Sequence, residues 1–284
     1  MRIATVEYNG KTLPVHVADD GTTVTPLAGV DSVQALLEGG TTPRPAETPA
    51  IPIEQVRLLA PIPVPRRNIM CLGLNYADHA EESMAAKGRD WKLPEAPVVF
   101  TKATTSVTGP GAAVVVDPKV TEQLDWEVEL GVVIGRGGRH IPQERALEHV
   151  FGYTVVNDLS ARDLQFRHKQ FFLGKSMDGS CPMGPWITTA DAVPDPQALR
   201  LTCRVNGELK QDGHTGQMVF SIAETIATLS RVMTLQPGDV IATGTPAGVG
   251  FARTPPEYLW PGDVVECEIE GLGTLRNPMV GPTQ

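Results

Sequence analysis

The chain has 284 residues, and its 24 basic and 33 acidic side chains give a formal net charge of −9. This acidic balance, with the basic residues scattered, argues against nucleic acid or a membrane surface as a partner. The sequence shows no signal-peptide core, no run of about 18 apolar residues and no CxxC spacing among its four cysteines, so a cytoplasmic protein with reduced thiols is predicted.

The first predicted elements form a small β-rich segment. An Asn9-Gly10 pair between alternating apolar residues predicts a hairpin. Asp31 and Gly39 are predicted to cap the two ends of a short helix. Residues 41–65 are dense in proline, which is typical of a linker that runs over the surface. The sequence therefore predicts a small N-terminal domain and linker over residues 1–65, and a larger domain over 66–284.

Short strands rich in valine and isoleucine alternate with helical pieces beyond residue 66. Ser221 and Glu224 have capping-box spacing, and Asn206-Gly207 predicts a second hairpin. Helical pieces are predicted near residues 76–86, 143–149, 159–171 and 221–235. Because the regular strand–helix–strand rhythm of a doubly wound sheet is missing, the predicted fold class is mixed α/β and β-rich, a roll or barrel with helices outside it.

An acidic segment, "LDWEVELGVVIG" at residues 124–135, carries Asp125, Glu127 and Glu129 at alternating positions. In a β-strand, side chains two residues apart point to the same face, so the three carboxylates are expected to project together. Either that face is wet, or a cation lies on it. Taken alone, the segment favours the wet face, because most charged residues are solvated.

A further carboxylate ends the next apolar strand, in "GYTVVNDLSARDLQ". Asp158 has two interpretations: it caps the following helix, or it joins Glu127 and Glu129 in a site made only of oxygen atoms. Such a site suits Mg²⁺ or Mn²⁺, with Ca²⁺ as a third candidate, and does not suit a structural zinc. Asp125 would then be either unrelated to the metal site or a neighbour that contacts its ligands.

Three other positions combine reactive residue types with suggestive surroundings. His79 and Glu82 stand at i and i+3 of a predicted helix, either as a base oriented by a carboxylate or as an incidental surface pair. Lys175 lies between a bulky apolar run and a Gly/Pro-rich loop, either in a cleft or on the surface. Thr245 lies in "GTPAGVG", residues 244–250, either a seat for a substrate carboxylate or a tight turn.

Six segments in order resemble the fumarylacetoacetate hydrolase family over about residues 67–280. They are "GLNYADHAEE", "DWEVELGVVIG", "NDLSARDLQ", "LGKSMDGSCPMGPW", "RVNGELKQ" and "PGDVIATGTPAGVG". The resemblance implies a core of rolled, mixed β-sheets with peripheral helices, preceded by a small N-terminal domain, and a homodimer. It is greatest to the acylpyruvate and 2,4-diketo-acid hydrolase branch, since the additional N-terminal aspartate ligand of the larger members has no counterpart here.

The resemblance also assigns residues to roles. One Mg²⁺ or Mn²⁺ ion per subunit would be held by Glu127, Glu129 and Asp158. The catalytic residues would be His79 and Glu82, a water-activating pair on a mobile lid helix, together with Lys175. The substrate-binding residues would be Arg162, Gln165 and Thr245.

The implied activity is hydrolysis of a carbon–carbon bond in acylpyruvates or related 2,4-diketo acids through a metal-bound enolate. The same scaffold also suits an oxaloacetate decarboxylase or an isomerase or hydratase of oxo-acids. A non-catalytic protein that binds a metal and a carboxylate is the alternative of another class. Residues 84–97 are predicted to border the distal end of the small-molecule oxo-acid.

Overall fold

The computed structural model describes residues 1–86, 88 and 92–282, which form 19 strands and five α-helices. The strands are β1 (Arg2–Tyr8), β2 (Lys11–Val17), β3 (Thr23–Pro26), β4 (Ile51–Pro52), β5 (Arg57–Leu59), β6 (Ile69–Gly73), β7 (Val98–Lys102), β8 (Val107–Thr108), β9 (Val114–Val115), β10 (Leu124–Asp125), β11 (Val128–Ile134), β12 (Val150–Asn157), β13 (Ser160–Ala161), β14 (Cys181–Thr189), β15 (Arg200–Val205), β16 (Glu208–His214), β17 (Val240–Ala242), β18 (Val264–Ile269) and β19 (Gly273–Val280). The helices are α1 (Val33–Gly39), α2 (Ala77–Ala86), α3 (Arg162–Arg167), α4 (Phe172–Lys175) and α5 (Ile222–Val232).

Two large sheets carry the architecture. A 12-stranded sheet has the order β4-β3-β2-β1-β14-β12-β11-β17-β6-β7, with β5 paired to β1 and β8 paired to β14. It is mixed, because β17–β6 and β14–β8 are parallel while β11 pairs antiparallel with β12 and with β17. A five-stranded sheet has the order β16-β15-β18-β19-β9, and β10 pairs with β13. The predicted mixed, β-rich fold class is confirmed.

Strand β11 is buried on both faces. Its alternating side chains enter two different cores: Leu130 and Val132 pack in the cluster that contains Leu201 of the five-stranded sheet, and Val133 packs in the cluster that contains Leu37 of α1. This double burial explains why the strand is a nearly continuous apolar run. Burial of each large aliphatic side chain contributes roughly 1.5–3 kcal/mol, so the strand that leads out of Glu127 is firmly anchored.

The N-terminal segment forms as predicted at its hairpin and differs at its helix. Asn9 and Gly10 have φ of 49° and 72°, as a two-residue hairpin turn requires. Helix α1 is capped one residue later at each end than predicted. Its N-cap is Ser32, whose extended backbone lets the side chain accept the amide of Ala35 at 3.0 Å, and its C-cap is the left-handed Gly40.

The proline-rich segment is more ordered than the predicted linker. Its proline-free residues Arg57–Leu59 form β5, which pairs with β1. Ala60 and Ile62 beyond it are buried, because the strand directs the chain into the core. Strand β1 also pairs with β14, so backbone hydrogen bonds link the two predicted domains. The division at residue 66 stays a prediction.

The remaining predicted elements are mostly present. Ser221 caps α5 by accepting the amide of Glu224 at 3.2 Å, and Asn206 and Gly207 turn the second hairpin. Gln143–His149 is a 3₁₀ helix, and the helix predicted over 159–171 is the shorter α3 followed by α4. The four cysteines are free and buried. Among the described residues, no helix has the length and apolar character needed to cross a membrane.

Candidate active site

The register of β11 and β12 brings three carboxylates together. Val128 pairs with Asn157, the Asp158 amide donates to the Glu127 carbonyl at 2.9 Å, and the Glu127 amide donates to the Asn157 side chain at 3.1 Å. One oxygen each of Glu127, Glu129 and Asp158 therefore lies within 4.8 Å of the others, and all three residues are buried. The structure brings together the three residues predicted as metal ligands.

Asp125 does not share their face, contrary to the simple alternation expected from the sequence. The strand is interrupted: β10 ends at Asp125 and β11 begins at Val128, so the two residues between them leave the period of two. The Asp125 carboxylate turns away from the triad. It accepts hydrogen bonds from the side chain of Arg162 and from the amides of Trp126, Gly250 and Phe251.

Three buried cations contact the carboxylates. Lys175 Nζ lies 2.7 Å from Glu127 Oε2 and 2.8 Å from Asp158 Oδ2. Arg162 Nη2 lies 2.7 Å from Glu127 Oε1. Lys102 Nζ lies 2.8 Å from Asp158 Oδ1 and donates to a backbone carbonyl at 3.0 Å. The sequence analysis missed Lys102; the available signal was a lysine at the end of the apolar strand "VVFTK".

The buried charges do not balance. With His79 counted as neutral, the described residues contribute four carboxylates at this centre, namely Asp125, Glu127, Glu129 and Asp158, and three cations, namely Lys102, Arg162 and Lys175. Glu129 accepts the Gly244 amide at 2.8 Å, and no ion pair to it occurs in the described part of the chain. The cluster is therefore one positive charge short, and its unmatched carboxylate is one of the three predicted ligands.

The imbalance moves the pKa values of the two glutamates in opposite directions. Burial alone would raise the pKa of Glu127, but Lys175 and Arg162 outweigh it and hold that pKa below its usual range. Burial and then repulsion from Asp158 and Glu127 raise the pKa of Glu129 well above its usual value. An all-oxygen donor set that lacks positive charge fits a hard divalent ion such as Mg²⁺ or Mn²⁺.

The predicted histidine–carboxylate pair is formed on α2. His79 Nδ1 lies 3.0 Å from Glu82 Oε1, and His79 is only 7% exposed. Both carboxylate oxygens of Glu82 accept the Gly248 amide at 3.0 Å. When Nδ1 carries the proton and donates a hydrogen bond to Glu82, Nε2 is the unprotonated, basic nitrogen of the imidazole. The incidental surface pair that the sequence left open does not describe this buried arrangement.

The glycine-rich loop at residues 244–250 binds carboxylates, but they belong to the chain itself. Its amides at Gly244, Gly248 and Gly250 donate to Glu129, Glu82 and Asp125 respectively. The Thr245 hydroxyl donates to the Val128 carbonyl at 2.9 Å and accepts from Gln211 at 2.8 Å. Thr245 lines the cavity described next, and its predicted contact with substrate stays a prediction.

A cavity of about 720 Å³ opens over these groups. The buried polar residues that line it define its inner end, namely Glu127, Glu129, Lys175, Arg162, His79 and Thr245. Apolar lining is provided by Leu72, Met84, Phe100, Phe171 and Phe251, and the exposed lining residues Arg167, His168 and Lys169 define its mouth. Gln165 also lines it and accepts from Arg162 at 2.9 Å. Of the segment 84–97 predicted to border the substrate, Met84 lines the cavity, and residues 87 and 89–91 lie outside the described residues.

Residues 68–280 match the family model described as fumarylacetoacetate (FAA) hydrolase, C-terminal. The chain belongs to the fumarylacetoacetate hydrolase family. Within this family it is 53% identical over 225 residues to the Bacillus subtilis (strain 168) protein named oxaloacetate tautomerase YisK, an alignment that spans 79% of this chain and 73% of that protein. It is also 47% identical over 237 residues to the Homo sapiens protein named oxaloacetate tautomerase FAHD2A, mitochondrial, across 83% and 73% of the two chains.

A solved member of the family has the same fold. The structure described as fumarylacetoacetate hydrolase from psychrophilic Exiguobacterium antarcticum superposes with a TM-score of 0.88 at 42% identity, over 99% of this chain and 100% of that one. The resemblance drawn from the six segments is confirmed at the level of family and fold. The relatives' names favour the isomerase alternative over the predicted carbon–carbon hydrolase.

Proposed function

We propose that this member of the fumarylacetoacetate hydrolase family is a divalent-metal-dependent enzyme that interconverts the keto and enol forms of oxaloacetate or a similar 2-oxo acid. The observation that carries the proposal is that one cavity is lined by a carboxylate-oriented His79 and by Glu127 and Glu129, two members of a buried carboxylate triad in a cluster that is one positive charge short. The name of the 53% identical Bacillus protein supports the same reaction.

Keto–enol interconversion needs a base next to a polarised carbonyl. In oxaloacetate, the carbon between the 2-oxo group and the distal carboxylate loses a proton, and the oxygen of the 2-oxo group gains one. When bound by Glu127, Glu129 and Asp158, the divalent ion would polarise the 2-oxo acid head as a Lewis acid. His79 Nε2 would take the proton from carbon, and Glu82 would stabilise the imidazolium that forms.

Lys175 would act by its charge. Burial alone would lower the pKa of this ammonium, but Asp158 and Glu127 outweigh burial and raise it above its usual range. A lysine with a raised pKa stays protonated at neutral pH, so it is not the general base. Its ammonium would instead stabilise negative charge on the substrate oxygen, at the inner end of the cavity that it lines.

Substrate binding is proposed for the polar edge of α3. Arg162 and Gln165 are buried, hydrogen-bonded to each other, and line the cavity. The Arg162 guanidinium packs 4.5 Å from the centre of the Phe251 ring. A planar guanidinium fixed in this way suits a carboxylate of the oxo-acid, to which the N–H groups not used by Asp125, Gln165 and Glu127 would donate.

Carbon–carbon hydrolysis of acylpyruvates is the second candidate. The His79–Glu82 pair would equally activate a water molecule, and the 42% identical solved structure is described as a hydrolase. Decarboxylation of oxaloacetate would use the same triad. A protein that only binds metal and carboxylate would have little use for the buried base. Homodimer formation and a cytoplasmic location stay predictions.

The test follows the ultraviolet absorbance of enol-oxaloacetate after dilution from organic solvent into buffer, with Mg²⁺, with Mn²⁺ or with chelator. We expect the protein to accelerate decay to the unchanged equilibrium only with metal, without releasing pyruvate. Pyruvate from oxaloacetate would instead identify a decarboxylase, and pyruvate from acetylpyruvate a hydrolase. His79→Gln should abolish the acceleration, and the matched His16→Gln on β2 should not.

A further inference from the structure

Asp125 is fully buried and completely satisfied by donors of this chain. Its Oδ1 accepts the amides of Trp126 at 2.8 Å and Gly250 at 2.7 Å, and its Oδ2 accepts the amide of Phe251 at 3.0 Å and Nε of Arg162 at 2.8 Å. A carboxylate that already accepts four hydrogen bonds, one from a charged group, has no lone pair left for an ion. Asp125 is therefore not a fourth metal ligand.

The bond to Nε sets the plane of the Arg162 guanidinium. With Nε held by Asp125, Nη1 donates to Gln165 at 2.9 Å and Nη2 lies 2.7 Å from Glu127 Oε1. The ring of Phe251 covers the guanidinium at 4.5 Å, and the amide of that same phenylalanine is bound by Asp125. One carboxylate thus places both the arginine and the aromatic ring that packs against it.

The same carboxylate anchors the loop that holds Glu82. Gly250 donates its amide to Asp125, and two residues earlier Gly248 donates its amide to Glu82. The indole of Trp126 donates to the Gly248 carbonyl at 3.2 Å. A Cβ at Gly250 would lie 2.8 Å from Asp125 Oδ1, so the close approach requires glycine. The segment that precedes Glu127 therefore fixes the loop on which the His79 partner rests.

We propose that Asp125 is a positioning residue that acts mainly through Arg162: it touches neither the ion nor the substrate, and it orients the guanidinium that binds the oxo-acid. Its loop contacts keep the Gly248 amide in place for Glu82. The kinetic part of this inference rests on the proposed function, and the binding part does not.

Asp125→Asn is the direct test, because it replaces one acceptor oxygen by an N–H₂ group facing a donor. Asp239→Asn is the matched control: Asp239 is buried and accepts Nε of Arg67 and the amide of Gln236, each at 2.7 Å, outside the cavity lining. Both variants should lose stability. We expect roughly 10- to 100-fold loss of kcat/KM only for Asp125→Asn. Equal kinetic effects of the two variants would reduce Asp125 to a structural role.

A double-mutant cycle tests the route through Arg162. Arg162→Gln and the double variant with Asp125→Asn should differ by less than about threefold in kcat/KM, because the guanidinium through which Asp125 mainly acts is already absent and only the smaller effect of its loop contacts remains. If the reductions in kcat/KM of the two single variants multiply in the double variant, Asp125 does not act through Arg162. If Asp125→Asn does not fold, Arg162→Lys keeps the charge and loses the Nε contact. This variant should lose at least about tenfold in kcat/KM, and a kcat/KM near that of the wild type would refute the proposal.

Calorimetry separates this inference from the proposed function. Oxalate is the probe of the oxo-acid head, titrated into protein saturated with Mg²⁺, so the measurement stands even if oxaloacetate is not the substrate. We expect Asp125→Asn to weaken oxalate binding by roughly tenfold and Mg²⁺ binding by less than about threefold. An equally large fall in Mg²⁺ affinity would make Asp125 part of the metal site, and unchanged oxalate binding would contradict the positioning role.

Discussion

The two glutamates of the acidic triad are expected to affect the metal-free protein in opposite ways. Glu127 contacts Lys175 and Arg162 at 2.7 Å each, whereas Glu129 accepts one backbone amide and has no ion pair in the described chain. Glu129→Gln should therefore raise the free energy of unfolding without metal, and Glu127→Gln should lower it. Both changes remove a predicted ligand, so both should weaken Mg²⁺ binding.

Proton linkage gives the sign and an upper limit for Glu129. Its pKa is raised in the folded state, so the folded protein binds a proton more readily than the unfolded chain, and stability falls as pH rises above the usual carboxyl pKa. Above the usual carboxyl pKa, each pH unit lowers the free energy of unfolding by about 1.4 kcal/mol until the folded-state pKa is reached. The total loss at pH 7 is therefore at most about 3.5 kcal/mol. Glutamine removes this cost and keeps the shape, which predicts a gain of about 1–3 kcal/mol.

The sign reverses for Glu127. Its folded-state pKa is lowered, so the ionised carboxylate contributes stability above the usual carboxyl pKa, and that stability is lost as pH falls through the folded-state pKa. Removing one partner of a buried ion pair leaves the others without their counter-charge and costs about 3–5 kcal/mol. The two variants should thus melt on opposite sides of the wild type in chelator at pH 7.

Thermal unfolding by calorimetry, with chelator and then with Mg²⁺, measures both effects. Wild type should gain stability with Mg²⁺ by mass action, and both variants should lose most of that gain. The advantage of Glu129→Gln should shrink as pH falls toward about 4.5 and vanish below it, because there the carboxyl of the unfolded chain is protonated as well. Glu148→Gln, in an exposed pair with Arg145, is the control and should leave the melting temperature essentially unchanged. Equal destabilisation by both triad variants would refute the charge-balance argument.

Four further outcomes are expected. His79→Gln should reduce kcat for proton transfer by about 10²- to 10⁴-fold while Mg²⁺ affinity by calorimetry stays the same; a parallel loss of affinity would contradict its role as base. Lys102→Met should lower the metal-free free energy of unfolding by about 3–5 kcal/mol in denaturant titrations, because Asp158 loses a buried partner, and a change below about 1 kcal/mol would refute this. Lys169→Gln at the cavity mouth should raise KM for a dianionic substrate about two- to threefold and weaken its salt dependence at constant kcat, whereas a kcat effect would indicate direct participation. Burial raises the pKa of Cys181 to about 12 and all four thiols are buried, so a thiol reagent at pH 8 should label none in the folded protein and four after denaturation.

Local patterns predicted the triad because the residues that place it are local. Glu127 and Glu129 lie two residues apart, and Asp158 follows the strand that pairs with theirs. Strands that follow each other in the sequence are usually neighbours in the sheet, so the pairing of β11 with β12 was the simplest arrangement even across the connection at residues 135–149. The two Asn-Gly hairpins formed for the same reason, since the turn residues alone determine the backbone there.

Lys102 and Asp125 could not be assigned in this way, because their roles depend on contacts between distant segments. Lys102 and Asp158 are 56 residues apart in the sequence. Their contact depends on the order of the sheet, in which β6 lies between β7 and β17. Asp125 leaves the triad face because the strand is interrupted after it, and its donors come from α3 and from residues 250 and 251. Neither the sheet order nor the interruption is visible in a short stretch of sequence.

The triad and the base are held by different kinds of contact, and this difference bears on which reaction the site performs. The carboxylates lie at the ends of paired strands and contact buried cations, whereas Glu82 is tied to the glycine-rich loop by one amide, that of Gly248. The resemblance to the family predicts that α2 is a mobile lid helix, so we expect the position of α2 to be the adjustable part of the site. If His79 Nε2 reaches the substrate carbon, the result is keto–enol interconversion, and if a water molecule lies between them, the result is hydrolysis. We therefore expect the distinction between tautomerase and hydrolase in this family to depend on α2 and the cavity wall, and not on the triad.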